Sequence, residues 1–302
     1  MAFRLDPDES VTHGFRRLAR KELSKTRNEL RRARPPSGEA IHEARKSLKK
    51  ARAILQLIDD DGGKALDSSD GRLRSINGLL SGLRDADVLS ETLVRLRKKN
   101  PQVITGRTFA RLRRALAERR RAARKTANRP GEWKAVGRRL RTVRRRAADW
   151  KPAHHSRGTL THSIRAVHRR GRKARTRARK RHQASDFHAW RKEIKSLWYA
   201  LRLVAATDAD VRRDARALHE AETLLGNDHN LVVLCEELSR TLTACNVATD
   251  LDRLRLAADR EQCRLREKAV ARVKSIYGRR SGAYARHVAE AWIRSKKEEG
   301  RS

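Results

Sequence analysis

Two short basic blocks contain the residues whose types and spacing are best suited to binding chemistry. Each block has a histidine, an arginine and two lysines at positions i, i+3, i+4 and i+7: His42, Arg45, Lys46 and Lys49, then His188, Arg191, Lys192 and Lys195. A helix places residues at this spacing on one face. Like charges stacked there destabilise the helix by about 0.2–0.5 kcal/mol per pair. We therefore interpret each face as a surface that binds an anion.

The histidine that begins each block has two possible roles. It either faces the bound anion or forms a structural hydrogen bond, and we favour the first because it opens the basic motif in both blocks. A metal site is not supported. Neither His42 nor His188 has a second histidine at i+4, and the basic faces lack Asp or Glu to complete a coordination shell. We predict no metal and no cofactor.

A second pair of related segments follows the basic blocks. Residues 79–89 align without gaps with residues 224–234, an offset of 224 − 79 = 145, and the basic blocks are offset by 188 − 42 = 146. Nearly equal offsets indicate an internal duplication. Within these segments we expect Arg84 and His229 to extend the anion-binding surface. The acidic or amide residue after each of them would cap a helix break or orient a basic side chain.

Rows of arginine precede both blocks. Arg16 and Arg20 begin one row, and Arg165 and Arg169 begin the corresponding row in the second half. Packing of the two halves about a pseudo-two-fold axis would bring rows and blocks together across a groove or pore, where low-dielectric walls focus positive potential. Arginine suits this role because its planar guanidinium donates bidentate hydrogen bonds to phosphate oxygens.

Apolar residues at helical spacing predict the elements that position these side chains. In both blocks they advance in the same steps of three and four, through Ile41, Ala44, Leu48, Ala51, Leu55 and Ile58 and through Phe187, Trp190, Ile194, Leu197, Leu201 and Val204. Such steps are typical of amphipathic helices, and the sequence shows no strand-like alternation. Plausible helix caps or first-turn acids include Asp8, Ser37 and Asp208.

These elements predict an all-α fold. We expect two pseudo-symmetric antiparallel four-helix-type bundles that arose by internal duplication and share a basic central surface. They would form a single domain over residues 8–298, with a first helical half at 8–150 and a second at 157–298, joined by a polar linker.

Composition limits the class of partner. The 302-residue chain has 75 Lys and Arg against 36 Asp and Glu, a net charge of +39 that calls for a polyanionic partner. Inorganic polyphosphate is our preferred partner. Nucleic acid is the alternative, although only 4% of residues are aromatic and no base-reading module is present. We predict no enzyme, because the sequence lacks a Gly-rich phosphate loop, a carboxylate cluster for Mg²⁺ and a nucleophile with an evident base.

Cysteine usage and apolar runs bear on location. Cys235, Cys245 and Cys263 are odd in number and lack metal-type spacing, which favours a reducing compartment and a role as small core residues. No apolar run is long enough to span a bilayer, and the first residues lack the apolar core of a secretory signal. We expect a cytoplasmic protein without membrane contact. The oligomeric state is left open.

The order of the motifs resembles the CHAD family, the conserved histidine alpha-helical domain. The likeness rests on two His-x-x-Arg-Lys-x-x-Lys blocks, each followed by a Leu-Leu-Ser/Gly-x-x-Arg/His-Asp/Asn block, and it runs roughly from Ser10 to Trp292. It implies paired helical bundles with a basic surface that binds inorganic polyphosphate, often at polyphosphate granules, and it implies no catalysis.

The resemblance also implies particular binding residues. The family's basic motif falls on the residues of the two blocks and, in the first half, on Lys50 and Arg52. The second half departs from this pattern at Trp198, where an equivalent of Arg52 would be expected, and at Asn230, where an Asp would be expected. At Trp198 we therefore expect that end of the site to bind more weakly or to stack differently, and Asn230 argues against a need for a carboxylate in both copies.

Overall fold

The fold is helical throughout the part of the chain that the structure describes. The computed structural model describes residues 3–6, 8–31, 36–58, 64–127, 131–150, 158–204, 208–242 and 248–299, with side chains for all of these except 64–67, 81–87, 119–120, 123–127, 241–242, 248–250 and 295–299. The helices are α1 (Val11–Glu29), α2 (Gly38–Ile58), α3 (Lys64–Lys99), α4 (Gly106–Ala127), α5 (Glu132–Arg146), α6 (Thr159–Arg181), α7 (Ala184–Val204), α8 (Ala209–Leu242), α9 (Ala248–Arg272), α10 (Lys274–Gly278) and α11 (Ser281–Glu299). The predicted all-α class is confirmed.

Polar residues before the helices explain where several of them begin. Ser37 accepts a hydrogen bond at 3.1 Å from a backbone N–H in the first turn of α2, and Asp208 does the same at 3.0 Å for α8. Both residues act as the caps that the sequence predicts. The prediction for Asp8 is wrong, because Ser10 caps α1 by accepting a hydrogen bond from the N–H of His13.

The predicted apolar faces of α2 and α7 form the centre of the core. All twelve residues of the two predicted seams are buried, and Leu48, Trp190 and Leu197 have no measurable exposure. They belong to one large apolar cluster that also takes in α1, α5, α6 and α11. A second cluster joins α3, α4, α8 and α9. Burial of each large aliphatic side chain contributes about 1.5–3 kcal/mol, so these seams determine which helix faces pack inward.

Helix packing brings distant parts of the sequence together. Helices that are neighbours in sequence pack against each other, as α1 does with α2, α6 with α7, and α8 with α9. In addition, α2 packs against α7 and α3 packs against α8. The α2–α7 contact places the two basic blocks next to each other.

A close helix approach is built into α6. Gly171 faces Tyr277 of α10, and a Cβ at this position would lie only 2.6 Å from the tyrosine Oη. Nearby, the buried His168 donates from Nε2 to the carbonyl of Ile276 at 3.0 Å and accepts from the hydroxyl of Ser281 at 2.9 Å. Burial lowers the pKa of His168 to about 4, so this histidine is a neutral structural residue.

Some predicted features differ from the structure or fall outside its described part. Cys235 is half-buried but Cys263 is exposed, so the prediction of core cysteines is wrong for Cys263. Cys245, the linker at residues 151–157 and the side chain of Arg84 lie outside the described residues. None of the described helices combines the length and apolarity needed to cross a membrane.

Candidate anion-binding site

A cluster of basic side chains forms where α2 packs against α7. We define the central cluster as Arg45 and Lys49 of α2, Arg191 and Lys195 of α7, and Glu222 of α8. All five side chains are wholly or partly buried, and they interact electrostatically with one another. The structure thus brings the inner cations of both predicted blocks to one place.

Glu222 is the carboxylate of this cluster. Its Oε1 accepts from Arg191, with Nη2 at 2.9 Å and Nε at 3.1 Å, and it also accepts from the Lys195 ammonium. Only 10% of the Glu222 side chain is exposed. Burial alone would raise the pKa of this carboxyl group, but Lys195 and Arg191 bring it below its ordinary value. Glu222 is therefore ionised and partly neutralises the cluster.

Lys49 lacks such a partner. It forms no ion pair with any carboxylate in the described part of the chain, whereas Lys195, Arg45 and Arg191 all repel its charge. Burial, reinforced by this repulsion, lowers the pKa of Lys49 to about 7, and Glu222 opposes the shift only in part. The pKa of Lys195 is also lowered, mainly by burial and then by Arg191, while Glu222 acts in the other direction.

The two block histidines occupy different environments. His188 of α7 lies against His229 of α8, with ring centroids 4.1 Å apart and planes at 38°. Burial is the main cause that lowers the pKa of each ring to about 4, so both are neutral at physiological pH. The Nδ1 atom of His188 is buried and makes no hydrogen bond with any described residue. His42, in contrast, is exposed on α2.

The two halves also differ at the position after the basic blocks. Arg52 forms a bidentate ion pair with Asp70 of α3, with Nε and Nη2 at 2.6 and 3.2 Å from the two carboxylate oxygens. At the corresponding position Trp198 stacks on His219, with ring centroids 4.4 Å apart and planes at 12°. Arg202 lies over the Trp198 ring at 5.2 Å and brings a guanidinium group back to this end.

The remaining predicted binding residues lie outside the central cluster. Arg16 donates from Nε to the carbonyl of Trp150 at 2.6 Å. Lys46 pairs with Glu43 at 3.3 Å on the surface of α2. Arg169 helps to line a separate shallow cavity of about 510 Å³ on α6. Six of the described predicted residues are exposed: Arg20, His42, Lys46, Arg165, Arg169 and Lys192.

The sequence predicted His229 of α8 as a site residue but assigned no role to Glu222 of the same helix. Glu222, Gly226 and His229 stand at i, i+4 and i+7, so they share one face of α8, and this spacing was a signal that pointed to Glu222. A Cβ at Gly226 would lie 3.1 Å from Nη2 of Arg191, so the glycine leaves room for the guanidinium against the helix. At the position 222 − 145 = 77 the first half has Asn77 instead of a carboxylate.

A second ion pair, largely buried, joins α8 to α9. Asp228 accepts from Nε of Arg266 at 2.7 Å, and the Arg266 guanidinium lies 4.6 Å from the ring centroid of Phe187. Burial raises the pKa of Asp228 to about 6, although Arg266 opposes the shift. This carboxylate thus holds the Arg266 guanidinium in place beside Phe187.

The donor set of the site suits anions. The described residues contain no group of three His, Cys, Asp or Glu side chains that could hold a metal ion. Ammonium and guanidinium groups are donors only, and they bind phosphate oxygens through charge-assisted hydrogen bonds. Fold and site together define an all-helical protein with a partly buried cationic cluster between two helices from opposite halves of the chain.

Comparisons with known proteins agree with this class. The family model of the CHAD domain matches residues 17–239, and the chain belongs to the CHAD domain family. The fold is similar to the crystal structure of the CHAD domain from the plant Ricinus communis, with a TM-score of 0.65 and 18% sequence identity over 91% of this chain and 95% of that chain. No curated protein matches the sequence. The family resemblance inferred from the motifs is confirmed.

Proposed function

We propose that the protein binds inorganic polyphosphate through a basic, histidine-containing surface centred on the central cluster. One observation carries the proposal. Four basic side chains from α2 and α7 meet in a partly buried site, where Glu222 pairs with Arg191 and Lys195 and no described carboxylate pairs with Lys49. A buried cation without a counter-charge costs free energy, and a bound polyanion would offset that cost.

In this proposal the exposed basic residues form an outer surface around the central cluster. Arg20, Lys46, Arg165, Arg169 and Lys192 would attract successive phosphates of a long chain, while the inner cations would hold a few of them more tightly. Attraction at the surface acts over about 8–10 Å at physiological ionic strength and weakens with salt. A linear polymer with one charge per unit can contact the exposed cations and the partly buried cations of the central cluster at the same time.

The finer architecture is part of the same proposal. We infer that the chain arose by duplication and that its two halves, residues 8–150 and 157–298, form pseudo-symmetric bundles within a single domain. The nearly equal sequence offsets and the matching buried seams of α2 and α7 support this inference. The basic central surface would then lie where the two halves meet.

Competition between two polyanions tests the choice of ligand. Short polyphosphate chains should displace a labelled polyphosphate from the protein at concentrations where duplex DNA with the same phosphate content does not. This selectivity is expected because a thin, flexible chain can enter a partly buried site more readily than a rigid duplex, and because only 4% of residues are aromatic and could stack on bases. Stronger displacement by DNA would favour the alternative function, binding of nucleic acid.

Charge reversal tests the site. Replacement of Arg45, Lys49, Arg191 and Lys195 together by Glu should lower polyphosphate affinity on the order of 100-fold or more and reduce its salt dependence. The control variant, with the same charge change on exposed residues of α4, replaces Arg107, Arg111, Arg114 and Arg121 by Glu. Circular dichroism would verify helicity in both. Equal affinity losses in the two variants would show that only net charge matters.

We also propose that binding is not accompanied by catalysis and that the protein is cytoplasmic and associates with polyphosphate granules. Prolonged incubation with polyphosphate and Mg²⁺ should release no free phosphate. A fluorescent fusion should co-localise with granules, and the charge-reversed variant should be dispersed. Release of phosphate, or identical distribution of both forms, would contradict this part of the proposal.

A further inference from the structure

Lys49 occupies an unusual position in the central cluster. Its charged and titratable neighbours are Arg45 from its own helix, Arg191 and Lys195 from α7, and Glu222 from α8. Glu222 already accepts from Arg191 and Lys195, and no described carboxylate pairs with Lys49. Among the described residues no anion is in direct contact with this ammonium group, and a ligand that enters the cluster would supply one.

We propose that binding of a phosphate polyanion at the central cluster is coupled to the uptake of about one proton by Lys49. This inference rests on the proposed function and adds a property of the same site. An entering phosphate brings negative charge next to a lysine that is partly buried among like charges, and it thereby favours the ammonium form. The other cations of the cluster are permanently charged arginines or, for Lys195, held by Glu222.

The protonation state of Lys49 in the free protein determines how polyphosphate affinity depends on pH. In the free protein the pKa of Lys49 is about 7, so at pH 8 the amine is largely neutral, and ligand binding raises the pKa towards its ordinary value of 10.5. Protons are therefore taken up at pH 8, roughly 0.9 per chain, and hardly at pH 6, where the ammonium is already formed. Affinity should fall by up to about tenfold per pH unit above pH 7.

The histidines predict a different pH dependence. The rings of His188 and His229 face Arg191, Lys192 and each other, and burial lowers the pKa of both to about 4. A histidine-linked effect would therefore appear as increasing affinity below about pH 6, whereas the Lys49 effect appears between pH 7 and 9. The pH range of the change thus distinguishes a lysine from a histidine as the group that takes up the proton.

Isothermal titration calorimetry with a short polyphosphate at pH 8 measures the uptake directly. The heat of binding is compared in two buffers of different ionisation enthalpy, and the difference reports the protons exchanged. Terminal phosphates of the ligand also titrate near neutral pH, so the uptake is taken as the difference between the wild-type protein and Lys49→Arg. We expect this variant, which keeps a permanent charge, to take up roughly 0.9 proton less and to bind with no decline between pH 7 and 9.

The matched control is Lys98→Arg, the same substitution at an exposed position of α3. It should take up as many protons as the wild-type protein. Equal uptake by the wild type and Lys49→Arg would overturn the inference and leave the proposed function intact, whereas no binding by the wild type would overturn the function. The wild-type affinity between pH 7 and 9 is a readout that needs no variant, and a constant value there would also contradict the inference.

Discussion

At the residue scale, one carboxylate determines how much positive charge the central cluster carries. Glu222 is almost buried and pairs with Arg191 and Lys195, so it neutralises one of four cations. If it were absent, the partly buried Arg191 and Lys195 would lose this shared counter-charge. Glu222 thus offsets part of the repulsion within the cluster.

Replacement of Glu222 by Gln should destabilise the free protein by about 3 kcal/mol at pH 7, because it leaves buried cations without their partner. Chemical denaturation measures the change. Polyphosphate should recover much of it and should raise the melting temperature of the variant more than that of the wild type. The control is Glu236→Gln, which alters an exposed pair with Arg240 and should change stability by less than about 0.5 kcal/mol.

The same substitution has a defined pH dependence. The pKa of Glu222 in the folded protein lies below its ordinary value of 4.5, so its stabilisation is fully present above that pH and is lost as the pH falls through the lowered folded value. The difference in stability between wild type and Glu222→Gln should therefore shrink in strongly acidic solution. A difference that persisted there would show that the shape of the side chain matters instead of its charge.

At the element scale, the site depends on how closely helices pack. The seams of α2 and α7 bury large aliphatic and aromatic side chains, and their contact juxtaposes the basic blocks. Close packing is also needed where α7 meets α10: the ring centroids of Trp190 and Tyr277 lie 6.4 Å apart, and Gly171 of α6 lets that tyrosine approach. Small residues at such positions allow side chains of neighbouring helices to interdigitate.

Gly171→Ala tests this packing. The new Cβ would lie 2.6–2.9 Å from the hydroxyl oxygen and two ring atoms of the buried Tyr277, so we expect a loss of about 1–3 kcal/mol of stability through overpacking. Gly78→Ala is the matched control, because Gly78 lies on the exposed face of α3 and a Cβ there would have no atom within 4 Å. This substitution should stabilise the protein by up to about 1 kcal/mol. Thermal denaturation measures the stability of both variants. Similar changes in the two would mean that helix propensity, and not packing against Tyr277, determines the effect of Gly171→Ala.

At the scale of the whole molecule, the charge of +39 opposes folding through long-range repulsion. The ion pairs of the surface are individually weak, so they do not compensate for it. The described part of the chain spreads this charge over many helices and concentrates some of it, partly buried, at the α2–α7 contact. The molecule is therefore expected to be more stable in any condition that screens or neutralises positive charge.

Added salt should consequently raise the melting temperature, by roughly 3–6 °C between about 20 and 500 mM NaCl. The α4 control variant reduces the net charge to 39 − 8 = +31, and its melting temperature should respond less to salt. Differential scanning calorimetry at a series of salt concentrations would measure this. A melting temperature that falls with salt would show that attractive ion pairs outweigh net repulsion.

The sequence by itself determined the properties that depend on local spacing. The steps of three and four predict the helices and their buried faces, and the i, i+3, i+4 and i+7 positions predict which basic residues share a face, because both follow from the 3.6-residue period of the helix. The order of motifs was enough to recognise the CHAD domain family. Net charge, which is a sum over residues, also needs no coordinates.

Only the tertiary structure decided the electrostatic environment of each site residue. Lys49 lies among cations, His188 is a neutral ring against His229 while His42 is exposed, and Arg52 is held by Asp70. Glu222 joins the cluster from a helix that contains none of the basic blocks. Burial and Coulomb interactions depend on residues of other helices, 18 positions away for Arg52 and Asp70 and 195 − 49 = 146 positions away for Lys49 and Lys195, and no local pattern contains that information.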